Sequence, residues 1–158
     1  LEWDGIEACI ENVVQKYQFP NVQLGLEITE QDALSSSIDI TKKIEALKAK
    51  GHRFLIDDFG MGHTSLVYLQ TKYFNIVKLD GSLTRDVIHN ETNRDIIASI
   101  VYLGRSLKFK IIAEYVENEA QRDELKKLGC DAFQGYLYSK PIKLDELMSW
   151  IKGSGHES

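Results

Sequence analysis

Apolar residues recur along this chain in two alternating rhythms. Residues 2–17 place Ile6, Ile10, Val13, Val14 and Tyr17 at helical spacing, which predicts an amphipathic helix. Pro20 ends the approach to Val22-Gln-Leu-Gly-Leu-Glu-Ile28, which reads as a strand. A helix over 37–50 follows, with Ile40, Ile44 and Leu47 on one face and Gly51 as its stop. Next come a strand over 53–57, a short helix over 65–71 and a strand over 76–80. A helical turn at 83–89 precedes a helix over 93–107 marked by Ile96, Ile97, Ile100, Val101 and Leu107, then a strand over 110–114. Asn118 with Gln121 three residues on is a capping-box pattern and opens a helix that runs to Gly129. A short strand over 131–134 and a helix over 143–152 close the pattern. Strand and helix in strict alternation predict an α/β fold with about five parallel strands and crossover helices.

Composition changes this picture little. The chain has 158 residues, 43% hydrophobic and 27% charged, enough for one globular domain with a buried core. Its net charge of −5 carries no basic block, so no DNA binding is expected. A phosphate ligand held through metal ions stays compatible with that charge, since the carboxylates then face the metal. Cys9 and Cys130 are far apart and show no CxxC or Cys/His spacing, which predicts neither a disulfide framework nor a zinc site. Two reduced thiols suit the cytoplasm, and no apolar run approaches the ~20 residues of a membrane span. Residues 1–152 read as one unit and 153–158 as a flexible tail; a start at Leu1 leads us to expect a piece of something longer.

In such folds ligands bind at the carboxyl ends of the strands. Glu27 and Glu30 stand at the first strand end, Asp57 and Asp58 at the second, and Lys78 and Asp80 at the third. Glu114 and Glu117 stand at the fourth and Gln134 at the fifth. Asp57 and Asp58 close the apolar run Phe54-Leu-Ile56 ahead of Gly60 and Gly62, and on an unbroken strand they point to opposite sides. Read alone, the pair could be a polar turn, and Lys78 could merely neutralise Asp80 or Asp58. Carboxylates gathered on one rim either raise their pKa values or bind divalent cations, and all-oxygen donors suit Mg²⁺, Mn²⁺ or Ca²⁺. With no Ser/His/Asp or Cys/His arrangement, two chemistries stay open. One is metal-assisted hydrolysis of a phosphodiester. The other is an enolase-like proton abstraction with lysine as base.

Leu26-Glu-Ile-Thr-Glu30, Ile56-Asp-Asp-Phe-Gly-Met-Gly62, Val77-Lys-Leu-Asp80, Ala113-Glu-Tyr-Val-Glu117 and Gln134-Gly-Tyr136 with Pro141 together resemble the EAL domain family, the cyclic di-GMP phosphodiesterases of bacterial signalling. The resemblance implies a (β/α)₈ barrel of the TIM type, here incomplete, whose rim binds two Mg²⁺ or Mn²⁺ ions. These would serve hydrolysis of cyclic di-GMP to linear pGpG. By position, Glu27 resembles a first-metal ligand, Asp57 the bridge between the ions and Asp58 a second-metal ligand. Lys78 would hold the attacking water, and Glu114 would be a metal ligand or general base. Asp80 and Gln134 would complete the second-metal and water network. Glu30 would anchor the loop after Gly60, and Glu117 would be a substrate-side acid.

There are three departures from the family pattern. The signature Glu-Ala-Leu stretch and an Asn ligand on the following strand are absent, so the chain is expected to be the C-terminal two-thirds of the domain, itself hydrolysing little. Tyr115 replaces the usual glycine of Ala-Glu-Gly-Val-Glu, which raises the alternative of a degenerate module that binds the nucleotide or a protein partner without cleaving it. The loop reads Gly60-Met-Gly-His63 where an aromatic is usual. An open edge on strand 22–28 predicts a homodimer, and the resemblance implies fusion to a sensory or GGDEF-type domain.

Overall fold

The structure, a computed structural model, describes residues 5, 8–12, 25–29, 38–60, 73–143 and 146–147. The helix expected over 65–71, most of those over 2–17 and 143–152, strand residues 22–24, Glu30, the loop residues 61–64 and the tail 153–158 lie outside the described residues.

Five strands form one parallel sheet in chain order: β1 (Gly25–Thr29), β2 (Arg53–Phe59), β3 (Ile76–Leu79), β4 (Lys110–Ala113) and β5 (Ala132–Phe133). Helix α1 (Ile38–Ala49) lies between β1 and β2 in the chain. Helices α2 (Gly81–Thr84) and α3 (Glu91–Leu107) lie between β3 and β4, and α4 (Glu119–Leu128) between β4 and β5. Parallel neighbours need such crossovers, which is why the alternation in sequence foretold the sheet. A strand order without reversal belongs to a barrel wall rather than a doubly wound sheet. Among the described residues that wall is open, with β1 and β5 at its edges, as an incomplete (β/α) barrel.

Alternation along the strands sorts two faces. Ile28, Phe54, Ile56, Val77, Leu79, Ile111 and Ala113 are buried on one face. Ile44 and Leu47 of α1, Ile97 and Val101 of α3 and Leu125 of α4 join them in a single core cluster. Each fully buried aliphatic side chain contributes about 1.5–3 kcal/mol, so this layer holds the sheet. The intervening positions carry Glu27, Leu55, Asp57, Lys78 and Ile112 on the opposite face.

Local chemistry sets the helix ends. The capping box at α4 forms as expected: Gln121 N–H donates to Asn118 Oδ1 at 2.9 Å and Asn118 N–H to Gln121 Oε1 at 3.2 Å. Helix α3 starts at Glu91 rather than 93, because Asn90 caps it by accepting from Asn93 N–H at 3.1 Å. The turn expected at 83–89 begins earlier, as α2. Asp80 Oδ1 accepts the Ser82 N–H at 2.8 Å and starts it.

Candidate active site

The site begins with a fault in the sheet. β2 and β3 pair as Leu55↔Ile76 and Ile56↔Val77, and the next pair is Phe59↔Leu79. Three steps along β2 thus match two along β3, the signature of a β-bulge, which re-aims side chains. Asp58 occupies it at φ 55°, in the left-handed region that short polar side chains tolerate best after glycine. The expectation that Asp57 and Asp58 face opposite sides is therefore corrected. One carboxylate oxygen each from Asp57, Asp58 and Glu114 lie within 4.8 Å of one another.

Lys78 organises the acids. It is 3% exposed. Its Nζ donates to Glu27 Oε2 at 3.0 Å and stands 2.7 Å from Glu114 Oε1 and 3.0 Å from Asp57 Oδ1. An ammonium has three protons, and three carboxylates surround this one. Its partners are thus Glu27, Asp57 and Glu114, not the Asp80 or Asp58 that neutralisation between near neighbours suggested. Burial alone would push the lysine pKa down, but hydrogen bonds to Glu114, Glu27 and Asp57 outweigh it and hold the group above the ordinary lysine range. Burial pushes the Glu114 carboxyl up; Lys78 opposes this, Asp57 and Glu27 add to it, and the net direction is upward. Asp58 is raised first by burial and then by the charges of Asp57 and Asp80.

Asp57 Oδ1 fits a further cation. The atom is buried, and its one close cationic neighbour is the Lys78 ammonium at 3.0 Å, which leaves its other lone pair for a second cation. An under-satisfied buried oxygen beside two more carboxylates, with no nitrogen or sulfur donor in the group, matches the preference of hard divalent ions.

A cavity of about 480 Å³ adjoins these acids, and Glu117 and Gln134 line it with them. Asp80 is not part of that lining. One of its oxygens caps α2, and although burial pushes its carboxyl up, hydrogen bonds from Ser82 and Gly81 and the charge of Arg85 hold it below the usual range.

Aromatic and cationic side chains line the same cavity, and only part of this lining was foreseen. Tyr115 sits at φ 54°, a conformation that costs a non-glycine residue roughly 1–3 kcal/mol. Its ring lies over the Arg85 guanidinium, 4.1 Å from carbon to centroid. A Cβ at Gly81 would come 2.5 Å from Tyr115 Cδ2, so that glycine supplies space. Arg85 was missed by sequence reasoning; the available signal was its place one helical turn beyond Asp80. Two side chains fix this lining. Thr84 Oγ1 donates to Glu114 O at 2.6 Å. Gln121 Nε2 donates to Arg85 O and its Oε1 accepts from Glu117 N–H, both at 2.8 Å.

Known proteins are similar to this chain in sequence and fold. The family model described as EAL domain matches residues 4–141. The chain is 34% identical over 147 residues to the bifunctional diguanylate cyclase/cyclic di-GMP phosphodiesterase MucR of Pseudomonas aeruginosa, covering 93% of this chain and 22% of that protein. It is 36% identical over 143 residues to the cyclic di-GMP phosphodiesterase PdeF of Escherichia coli, covering 90% and 19%. The chain thus spans about a fifth of the length of these relatives. The solved PaMucR phosphodiesterase, a complex with c-di-GMP, aligns at a TM-score of 0.80 and 35% identity over 91% of this chain and 58% of that one. The manganese/cyclic di-GMP complex of Klebsiella pneumoniae BlrP1 aligns at 0.76 and 28%, over 87% and 35%.

Proposed function

The chain belongs to the EAL domain family, and on that premise we propose that the full-length protein hydrolyses one phosphodiester of cyclic di-GMP and releases linear pGpG. The observation that carries this reading is the buried Lys78 ringed by Glu27, Asp57 and Glu114, with Asp58 brought to the same rim by the bulge. Glu27, Asp57, Asp58 and Glu114 would hold Mg²⁺ or Mn²⁺. Divalent ions there would supply electrostatic stabilisation of the attacking and leaving oxygens.

The chain's own residues account for the rest. Lys78, encircled by carboxylates, keeps its proton at neutral pH. Where the carboxylates turn to metal ions, its ammonium would be released to orient an attacking water and stabilise negative charge. Glu114, 2.7 Å from the Lys78 ammonium, would serve as a metal ligand or as the general base that takes the water proton. Gln134 offers an amide to the water or the ligand, and Glu117 faces the ligand from the same cavity. Asp80 contributes the oxygen that does not cap α2. Glu30, outside the described residues, keeps its proposed role as anchor of the loop after Gly60.

We place the full-length protein in the cytoplasm, joined to a sensory or GGDEF-type domain, and expect the 158-residue chain by itself to form a homodimer through its open β1 edge. Among the described residues no helix is long and apolar enough to cross a membrane.

The test is release of pGpG by the full-length protein in Mn²⁺ buffer. Lys78→Ala should abolish it, and undiminished turnover would sink the assignment. Tyr115, standing where the family pattern has glycine, favours a second reading: a module that binds cyclic di-GMP without cleaving it. Calorimetric titration in Ca²⁺ beside the hydrolysis assay separates the two.

A further inference from the structure

We infer that Tyr115, backed by Arg85, is a base-stacking residue that sets the affinity of the site for its nucleotide; the inference rests on the cyclic nucleotide reading above. The backbone argument comes first. At φ 54° glycine is free of strain and tyrosine is not, so the ring is kept against a conformational cost. Such outliers collect at functional sites. The surroundings are shaped to receive this ring, for Gly81 omits the Cβ that would collide with it.

The ring is also oriented. Arg85 lies against it at 4.1 Å. Among the described residues the Arg85 guanidinium has no hydrogen bond or ion pair, so the stack is the defined contact that places it. With that contact made, Tyr115 still remains 43% exposed and lines the cavity that holds Asp57, Asp58 and Glu114. Tyr136 is 59% exposed and lines the same cavity. Carboxylates on one part and an exposed, cation-backed aromatic ring on another fit a ligand that joins a phosphodiester to a flat heterocycle. Every nucleobase offers a π-face to such a platform, and about 480 Å³ lies within the range of small-molecule sites.

Two substitutions in the full-length protein test this. Tyr115→Phe keeps the ring. Tyr115→Gly removes it while accepting the backbone without strain, so folding is preserved. Steady-state hydrolysis of cyclic di-GMP is read beside its calorimetric Kd in Ca²⁺, where turnover does not complicate binding. Loss of one stacked base predicts about tenfold increases in KM and Kd for Tyr115→Gly, with kcat changed by less than about threefold. Tyr115→Phe should restore both constants to within about twofold of wild type.

Unchanged KM and Kd in Tyr115→Gly would overturn the inference. A fall in kcat at constant Kd would also overturn it, since the ring would then only support the fold. Should the wild type bind without cleaving, the hydrolysis reading fails while the Kd series alone still decides the stack. Should it neither bind nor cleave, both fall.

Discussion

Removing the Lys78 ammonium should destabilise the fold in a pH-dependent way. Lys78→Met leaves three carboxylates without their shared cation. Glu27, with 46% of its side chain exposed, behaves as a surface partner and contributes about 1 kcal/mol or less. Asp57 and Glu114, at 23% and 10%, are enclosed. Breaking a buried pair from one side costs roughly 3–5 kcal/mol, and because this cluster opens on a cavity the expected loss at pH 8 is the low end, about 3 kcal/mol. Glu114 already has a folded-state pKa above its ordinary value because of burial, and loss of the opposing lysine raises it further. The folded variant therefore binds a proton more tightly than the unfolded chain, and its stability rises as pH falls through that pKa. Wild type gains less over the same range because Lys78 opposes the protonation, so the difference should shrink as the pH is lowered from 8. Urea unfolding followed by circular dichroism, at pH 8 and below and in EDTA, measures it. A loss under about 1 kcal/mol at pH 8, or one that does not change with pH, would refute the reasoning.

Two further predictions concern the frame of the site. A Cβ at Gly135 would run into the Val116 backbone, which cannot swing aside as a side chain can, so Gly135→Ala should cost about 3 kcal/mol in urea unfolding, and a loss under about 1 would contradict the packing. Burial pushes the Cys130 thiol up to about 12 while Cys9 is exposed. At pH 8 the thiolate of Cys130 is scarce, so a thiol reagent should label one cysteine in the native chain and the second only on unfolding; rapid labelling of both would place Cys130 differently.

Periodicity carried the fold, because a parallel sheet with crossover helices writes itself as alternating rhythms, and the capping box at Asn118 and Gln121 is a local pattern that local chemistry completes. Asn90 was passed over since the apolar marks of α3 begin only at Ile96, although a cap and not a core residue starts the helix. The strand-end acids were legible as a group because carboxyl ends converge in such a sheet. Their aim was not. The bulge at Asp57 and Asp58 depends on how β2 registers against β3, a property of two strands that neither reveals alone. The stack of Tyr115 on Arg85 likewise joins residues 30 positions apart through a glycine whose meaning is only the space it leaves. Tyr115 showed in the sequence as a departure from the family pattern; that it needs a left-handed backbone did not.

The most direct measurement is metal dependence of cyclic di-GMP cleavage by the full-length protein after dialysis against EDTA. Back-titration with Mn²⁺ should restore pGpG release in the wild type. Asp57→Asn should stay silent across the titration, because Asp57 is one of the three grouped carboxylates that would hold the metal. Turnover that persists in EDTA, or an Asp57→Asn protein that recovers with the wild type, would contradict a site built on these strand-end carboxylates.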